Sequence, residues 1–349
     1  MTRAAAAALS AVVLAFLGAG CSASEGTEGG GKIVGETVTV YSLMPLSGPR
    51  SQVARDLVAG QKLALADAGE RAAALPLKVN FVSLDSGPDA DPERVSKVAR
   101  QAMKDPQVIA VIADLDSASA RITVPLFNAA GLLHVSPGAT YTGFVAPGAP
   151  GEPERWRPSG RATFAATAPT DAAQAVAIAG ATQGRVVVEA GAEPDSVALA
   201  EAVRARVRGR SGPVGTVVYA GTDPDDAIGV VGGLLDERPR ARIVLPEALL
   251  RADVPAKRFA SEARVRFLTS APPAAPAFDS AFETAFGRPP ATAYARVGYD
   301  AMHDVISAIA KAGARAGDRT AVIDAYFSTR PLSRTATLPF RLTRFEERP

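Results

Sequence analysis

Short apolar runs alternate with segments of helical periodicity along the chain from Thr37 onward. The apolar runs predict β-strands that begin at Val38 and recur over residues 77–81, 108–113, 132–136, 185–189, 214–219, 242–245, 265–269 and 339–344. The periodic segments predict helices over residues 53–64, 92–103, 122–129, 171–180, 195–208, 224–237, 277–286 and 294–312. This alternation is typical of successive βαβ units, so the pattern predicts an α/β fold with mostly parallel sheets.

The length of the chain predicts two lobes. Its 349 residues exceed what one ordinary core holds, because single domains have a common size of about 150 residues. Residues 147–160, rich in proline, glycine and mixed charges, interrupt the alternation and separate two α/β series.

The first 21 residues have the pattern of an export signal. Arg3 precedes an uncharged apolar stretch, Ala4 to Leu17, which is too short for a comfortable transmembrane span. Leu17-Gly18-Ala19-Gly20-Cys21 follows and resembles the bacterial lipobox, which implies acylation of Cys21, as with palmitate, and anchoring at the outer face of the cell membrane. Cleavage by an ordinary signal peptidase, leaving a free thiol, is the alternative. Residues 22–36, rich in Gly, Ser and Glu, predict a flexible tether.

Composition and charge narrow the possible functions. The net charge is only +2 and the arginines are scattered, so the sequence offers no basic surface for nucleic acid. Cys21 is the only cysteine, which excludes an intrachain disulfide and a cysteine metal cage. His134 and His303 lack metal-ligand spacing, and no Gly-x-Ser-x-Gly motif occurs. We therefore expect a protein that catalyses no reaction and holds no metal or cofactor.

Two loops at the carboxyl ends of predicted strands carry the candidate binding chemistry. Ser117 and Ser119 follow one strand and precede a helix, so their hydroxyls and nearby backbone N–H groups can meet a ligand carboxylate. Gly138 to Thr140 follow the next strand. Gly138 would let a ligand approach the backbone closely, and Thr140 adds a hydroxyl group. Serine and threonine at helix starts are also ordinary capping residues, so spacing alone leaves both interpretations open.

Several segments share their order and spacing with one known family. They are Val38-Thr39-Val40 through Pro45-Leu46-Ser47-Gly48-Pro49, Asp114 to Arg121, His134-Val135-Ser136-Pro137-Gly138-Ala139-Thr140, Ala168-Pro169-Thr170-Asp171, Phe286-Gly287-Arg288-Pro289-Pro290, Tyr294, and Gly298-Tyr299-Asp300-Ala301-Met302. Over about residues 37–340 the chain resembles the periplasmic binding proteins of the leucine/isoleucine/valine type. The loops Arg50-Ser51-Gln52-Val53 and 190–195 lack the aromatic residues that leucine-type binders carry, which leaves the solute open.

The resemblance implies the type I periplasmic binding protein fold. In that fold two Rossmann-like lobes with parallel-rich sheets are joined by a multi-strand hinge of three crossings, and the ligand lies between them. The first lobe is expected to contain residues 37–160 plus about 272–334, and the second to contain 161–271 plus about 335–349. Between Leu245 and Val265 the second lobe is expected to be short by about one strand–helix unit.

The resemblance also implies a ligand site between the lobes. By position, Ser117 and Thr140, with the backbone near Ser119 and Gly138, are expected to hold the carboxylate and amino group of an amino acid. The second lobe is expected to supply an acid for the ammonium group. The candidates, in order, are Glu247, Asp171 and Asp195.

The function implied is that of a monomeric, lipid-anchored substrate-binding protein of an ABC transporter. It would capture a small polar solute, a branched-chain or related amino acid, and deliver it to a membrane permease while separate subunits hydrolyse ATP. No cofactor and no nucleic acid is implied. A ligand-sensing or partner-binding envelope lipoprotein with the same fold is the alternative.

Overall fold

The computed structural model describes residues 31–70, 75–88, 90–251, 258–259, 261–270, 275–329 and 340–343. The strands are β1 (Thr37–Met44), β2 (Lys78–Asp85), β3 (Val108–Ala113), β4 (Leu133–Ser136), β5 (Phe164–Ala166), β6 (Arg185–Glu189), β7 (Val214–Tyr219), β8 (Arg242–Leu245), β9 (Val265–Thr269) and β10 (Arg341–Thr343). The α-helices are α1 (Ser51–Glu70), α2 (Pro92–Met103), α3 (Ser117–Ala129), α4 (Asp171–Ala181), α5 (Pro194–Val207), α6 (Pro224–Glu237), α7 (Glu247–Leu250), α8 (Pro276–Phe286), α9 (Tyr294–Ala312) and α10 (Arg319–Phe327).

The first lobe is built on a five-stranded parallel sheet in the order β2-β1-β3-β4-β5. Helices α1, α9 and α10 cover one face of the sheet, and α2 and α3 cover the other. Because both faces are covered, the central strand β3 is apolar and buried at every position.

The second lobe has its own five-stranded sheet in the order β10-β9-β8-β7-β6. Four strands are parallel, and β10 is antiparallel to β9. Helices α4 and α5 cover one face, while α6 and α7 cover the other. In the part of the β8–β9 connection that the structure describes, the helix α7 is only four residues long.

Side-chain caps explain where several helices begin. The carboxylate of Asp91 accepts from the backbone N–H of Glu93 at the start of α2, with Pro92 at the first helical position. Asp116, Thr170 and Asp223 cap α3, α4 and α6 in the same way. Each cap accepts from a backbone N–H that has no partner inside the helix. The cap therefore fixes the residue at which the helix begins.

Among the described elements, the lobe changes three times along the chain: between β5 and α4, between β9 and α8, and between α10 and β10. Three expectations from the sequence are corrected here. Phe164–Ala166 pairs with β4, so residues 161–166 belong to the first lobe and not to the second. Ile33, placed in the flexible tether, is buried in the first core, and its N–H donates to the Gly317 carbonyl at 2.7 Å. Helix α3 begins at Ser117, because Asp116 caps it, rather than after Ser119.

Candidate functional site

The carboxyl ends of the two sheets face each other across a cleft. From the first lobe come the loops after β3 and β4, and from the second come the N-termini of α4 and α5 together with α7. The lobes touch through Arg121 and Asp195, through Arg251 and the carbonyls of Leu115 and Gly138, and through Tyr294 and Glu247. Loops at the carboxyl ends of parallel strands are where open α/β sheets bind ligands.

Ser117 and Ser119 serve the first-lobe loops themselves. The Ser117 hydroxyl accepts from the backbone N–H groups of Thr140 and Tyr141 at 2.9 and 3.0 Å. The Ser119 N–H donates to the Asp116 carboxylate at 2.7 Å. Ser117 therefore fixes the position of the loop after β4 relative to the loop after β3, while Ser119 takes part in the cap of α3.

Gly138 lies where the backbones of these two loops touch. A Cβ atom at this position would come within 2.4 Å of Leu115 Cα, C and O. Because the approach is so close, the Leu115 and Gly138 carbonyls converge, and Nη1 of Arg251 donates to both, at 3.0 and 2.9 Å. Arg251 comes from the second lobe and is only 2% exposed, so a second-lobe cation is buried on the first lobe.

An ion pair joins the lobes near the start of α3. Arg121 Nη2 lies 2.5 Å from Asp195 Oδ1, and the Arg121 guanidinium also stacks over the Tyr141 ring at 4.2 Å from its centroid. Burial raises the pKa of the Asp195 carboxyl, against the lowering effect of Arg121. Arg50 pairs with Asp116 at 2.6 Å on the first-lobe side.

Asp171, at the first position of α4, lies between the lobes and is 4% exposed. Its backbone N–H donates to the Thr140 carbonyl at 2.7 Å, while its Oδ2 atom has no hydrogen-bond partner within the described part of the chain. Burial raises the pKa of its carboxyl well above the ordinary value, and so does the charge of Asp195. A hydrogen bond with the Thr140 side chain and the charges of Arg121 and Arg251 offset only part of that increase.

The Glu247 carboxylate accepts hydrogen bonds from two hydroxyl groups on the hinge side of the cleft. It accepts from the Ser270 hydroxyl at 2.6 Å and from the Tyr294 hydroxyl at 2.9 Å. Burial and the adjacent Glu247 carboxylate raise the pKa of Tyr294 well above its ordinary value. A cavity of about 40 Å³ lies here, lined in part by Pro137, Thr167, Glu247, Arg251, Ser270 and Tyr294.

The cleft is closed in this conformation. A water molecule needs about 10–15 Å³ of such space, so the 40 Å³ cavity has room for a few waters and not for an amino acid. Entry of a solute therefore requires the lobes to separate.

A buried pair, Asp114 and His134, lies beneath the loop that follows β4. Asp114 Oδ2 lies 3.0 Å from His134 Nε2, accepts from the Thr123 hydroxyl at 2.5 Å, and is buried with both. The Asp114 carbonyl accepts from the Ser136 hydroxyl, whose oxygen in turn accepts from the Ala139 N–H at 3.0 Å. The pair therefore stabilises the loop that carries Gly138 and Thr140.

The structure brings Thr140, Asp171 and Asp195 together, and it binds the Glu247 carboxylate to Ser270 and Tyr294. Sequence reasoning missed Arg121, Arg251 and the role of Tyr294. Arg251 follows two leucines in a stretch without a motif, and Arg121 looks like an ordinary exposed residue of a helix. Only the meeting of the lobes reveals their roles.

Two further properties concern the described part of the chain alone. None of its helices combines the length and apolar character needed to cross a bilayer. Within the same residues, no three metal-ligating side chains come together. Cys21 and the export segment lie outside the described residues.

No known protein-family model matches the sequence, and no curated protein matches it. Solved structures do match. An ABC transporter substrate-binding protein from Desulfitobacterium hafniense in complex with leucine gives a TM-score of 0.66 at 18% identity, over 84% of this chain and 89% of that one. A type 1 periplasmic binding protein from Bordetella pertussis gives 0.67 at 16%, over 84% and 88%. An ABC transporter solute-binding protein from R. palustris in complex with benzoate gives 0.64 at 14%, over 89% and 94%.

Two α/β lobes that meet at their strand ends and are joined by three crossings define a hinged binding fold. The comparisons identify it as the type I periplasmic binding protein fold, so the predicted fold class is confirmed. At these identities the likeness establishes the fold, and the function is argued below from the site.

Proposed function

We propose that the protein is an extracytoplasmic solute-binding protein that captures a small carboxylate-bearing solute between its lobes for an ABC transporter. One observation carries this proposal. Three buried polar atoms around the cleft, Asp171 Oδ2, Arg121 Nε and Arg251 Nε, have no hydrogen-bond partner among the residues that the structure describes. An unsatisfied buried polar group costs about 1–3 kcal/mol, so a solute whose oxygens accept from these groups would offset a cost that the protein alone carries.

Two of the similar structures support the solute class. The protein from Desulfitobacterium hafniense holds leucine and that from R. palustris holds benzoate, and both ligands carry one carboxylate. The branched-chain amino acids expected from the sequence belong to the same broader class. Arg121 and Arg251 provide the cationic groups that a carboxylate requires.

Capture would proceed by hinge closure. Solute enters when the lobes separate, and the inter-lobe contacts re-form around it. A ligand that contacts both lobes stabilises the closed form by its difference in affinity between the two states. The closed form would then dock on the permease, with ATP hydrolysis left to other subunits.

No enzymatic step belongs to this proposal. His134 is buried between Phe127 and Phe164 and beside Asp114, so it cannot reach a solute in the cleft. His303 lies on α9, stacked on Tyr299. The role proposed for the described groups of the cleft is to bind a solute and to orient it.

We extend the proposal to the N-terminus, where Cys21 would carry the lipid anchor of a monomeric lipoprotein. Cys21→Ser should move the protein from the membrane fraction to the soluble fraction and abolish the acyl mass found by mass spectrometry. If the wild-type protein carries no acyl group, the anchor proposal is wrong and the solute proposal is unaffected.

Calorimetric titration of the purified protein with the standard amino acids and with small organic carboxylates tests solute capture. We expect at least one compound to bind with one-to-one stoichiometry and to compact the protein in small-angle scattering. Thr140→Ala should weaken that binding several-fold without unfolding the protein, because Thr140 contacts Asp171. Thr284→Ala, on the surface of α8, is the control and should bind normally.

The absence of any binding, together with stable association with an envelope protein, would favour the alternative of a partner-binding or sensing lipoprotein. The closed cleft and its small cavity are the features that would suit that alternative.

A further inference from the structure

The Leu115 and Gly138 carbonyls form a small cation-binding site on the first lobe. Both accept from one nitrogen, Nη1 of Arg251, at 3.0 and 2.9 Å. Their convergence depends on Gly138, since a Cβ atom there would overlap the Leu115 backbone. Carbonyl oxygens are acceptors only, so this pair selects a donor and favours a cationic one.

The protein itself supplies that cation. Arg251 is 2% exposed and extends from the end of α7 across the cleft. The charged and titratable groups around it include Tyr294, whose side chain hydrogen-bonds to Arg251 and whose ring centroid lies 6.0 Å from the guanidinium carbon. The carboxyls of Glu247 and Asp171 are also nearby, and Asp300 lines the same cavity. Glu247 already accepts from Ser270 and Tyr294, so the guanidinium is held by the carbonyl pair together with the Tyr294 side chain.

A solute ammonium would compete for the same place. If it bound the two carbonyls, it would displace Arg251 into a closed cleft where like charges repel and a buried guanidinium would lose its acceptors. A solute without an ammonium leaves the carbonyls to Arg251. Arg251 can then return to them on closure and present its unpartnered Nε to an acceptor.

We propose that Arg251 replaces the ammonium group of an amino acid, so that the preferred solute is a carboxylate without an α-ammonium, such as a 2-oxo or 2-hydroxy acid. This inference rests on the proposed function and narrows its substrate class. It assigns Arg251 as the residue that determines specificity. The solute carboxylate or its 2-oxygen would accept from the Nε atom of Arg251, which lines the cavity.

Asp171 is consistent with the same class of solute. Its buried carboxyl lies beside Arg121, Arg251 and Asp195 and keeps a proton to higher pH than an exposed aspartate does. A protonated carboxyl donates through its O–H, which suits a solute oxygen and not an ammonium group.

Matched pairs of compounds test the inference on the wild-type protein. The pairs are leucine and 4-methyl-2-oxopentanoate, phenylalanine and phenylpyruvate, alanine and pyruvate, and glutamate and 2-oxoglutarate, each titrated by calorimetry at the same pH. We expect the oxo acid of the best pair to bind about tenfold or more tightly than its amino acid, because only the amino acid opposes Arg251. An amino acid that binds as tightly as its oxo acid, or more tightly, overturns the inference.

The variant Arg251→Gln tests whether Arg251 sets the preference for oxo acids over amino acids, and a control variant accounts for any loss of stability. Removing the cation frees the two carbonyls for an ammonium, so the preference for the oxo acid should shrink or reverse, with a gain for the amino acid. Arg264→Gln is the matched control. Its guanidinium also bonds backbone carbonyls, those of Leu235, Arg238 and Ala241, but lies within the second lobe. A similar preference in wild type and both variants would show that Arg251 does not set specificity.

The two proposals fail in different ways. If no compound of either class binds, solute capture fails and the inference fails with it. If amino acids bind more tightly and close the lobes, solute capture stands and only the role assigned to Arg251 is wrong.

Discussion

At the scale of single residues, Gly138 controls how closely the two first-lobe binding loops approach. A Cβ atom there would lie 2.4 Å from three Leu115 backbone atoms, which cannot move aside as a flexible side chain can. The site therefore depends on a residue that contributes no side-chain atom. The Leu115 and Gly138 carbonyls keep their convergence only while this contact is preserved.

Gly138→Ala should lower the free energy of unfolding by about 1–3 kcal/mol, the usual cost of overpacking, and should weaken solute binding by separating the two carbonyls. Urea denaturation and calorimetric titration measure the two effects. Gly180→Ala is the control, because Gly180 lies in α4 with open space around it. It should raise the free energy of unfolding by about 0.5–1 kcal/mol through helix propensity. Unchanged binding in Gly138→Ala would contradict the proposed geometry.

Asp171 makes the stability of the protein depend on pH. Because its pKa is raised in the folded state, the folded protein keeps this proton while the unfolded chain releases it above about pH 4. The wild type therefore loses stability as pH rises from there to the raised pKa, by at most about 1.4 kcal/mol per pH unit. Asp171→Asn cannot lose a proton, so it should become progressively more stable than the wild type over this range.

Urea midpoints of the two proteins measured from pH 3.5 to pH 8 test this prediction. Towards the acid end the aspartate becomes protonated in both states, so the difference between the two curves should stop changing there and provides an internal control. A constant difference between them at every pH would mean that Asp171 has an ordinary environment.

At the scale of secondary-structure elements, the first lobe depends on the close packing of α1 against α9. A Cβ atom on Gly60 would lie 1.8 Å from the Ala295 carbonyl oxygen, and one on Gly298 would lie 2.0 Å from the Leu57 carbonyl oxygen. The helices therefore touch backbone to backbone, and larger residues at these two positions would force them apart.

Gly298→Ala should lower the free energy of unfolding by about 1–3 kcal/mol or more, because the helix backbones cannot yield locally. Gly229→Ala is the matched control, since Gly229 lies on the exposed face of α6 with nothing nearby. The control should be neutral or slightly stabilising. Chemical denaturation of both variants checks the prediction, and equal effects would show that the close approach has no energetic consequence.

At the scale of the whole molecule, the contacts between lobes determine how readily the cleft opens. The Arg121–Asp195 pair is partly buried and joins α3 of the first lobe to α5 of the second. Closing the lobes removes both groups from water, and the raised pKa of Asp195 reflects a loss of hydration that Arg121 offsets only in part. Removing Arg121 would leave Asp195 buried without its counter-charge, which disfavours the closed form.

Arg121→Met should increase the radius of gyration of the solute-free protein in small-angle scattering, because the open form becomes more populated. Arg161→Met is the control, since the Arg161–Asp324 pair is exposed and lies within the first lobe. The control should leave the scattering profile unchanged. If Arg121→Met is as compact as the wild type, other contacts hold the lobes together.

Much of the architecture follows from local sequence patterns. The expected segments β3, β7 and β9 are strands, and 224–237 and 294–312 are helices, because apolar periodicity and caps act over a few residues. The sequence did not reveal β5 or α10. A three-residue strand has no recognisable period, and the pairing that defines β5 comes from β4.

The sequence by itself determined the α/β class, the order of most elements and the loops at strand ends, since these depend on neighbouring residues. Only the tertiary structure decided what faces those loops. It placed Arg251 on the Leu115 and Gly138 carbonyls, paired Arg121 with Asp195, and buried Asp171 beside them. The physical reason is that burial and charge pairing depend on which distant segments meet across the hinge, and no local pattern records that meeting.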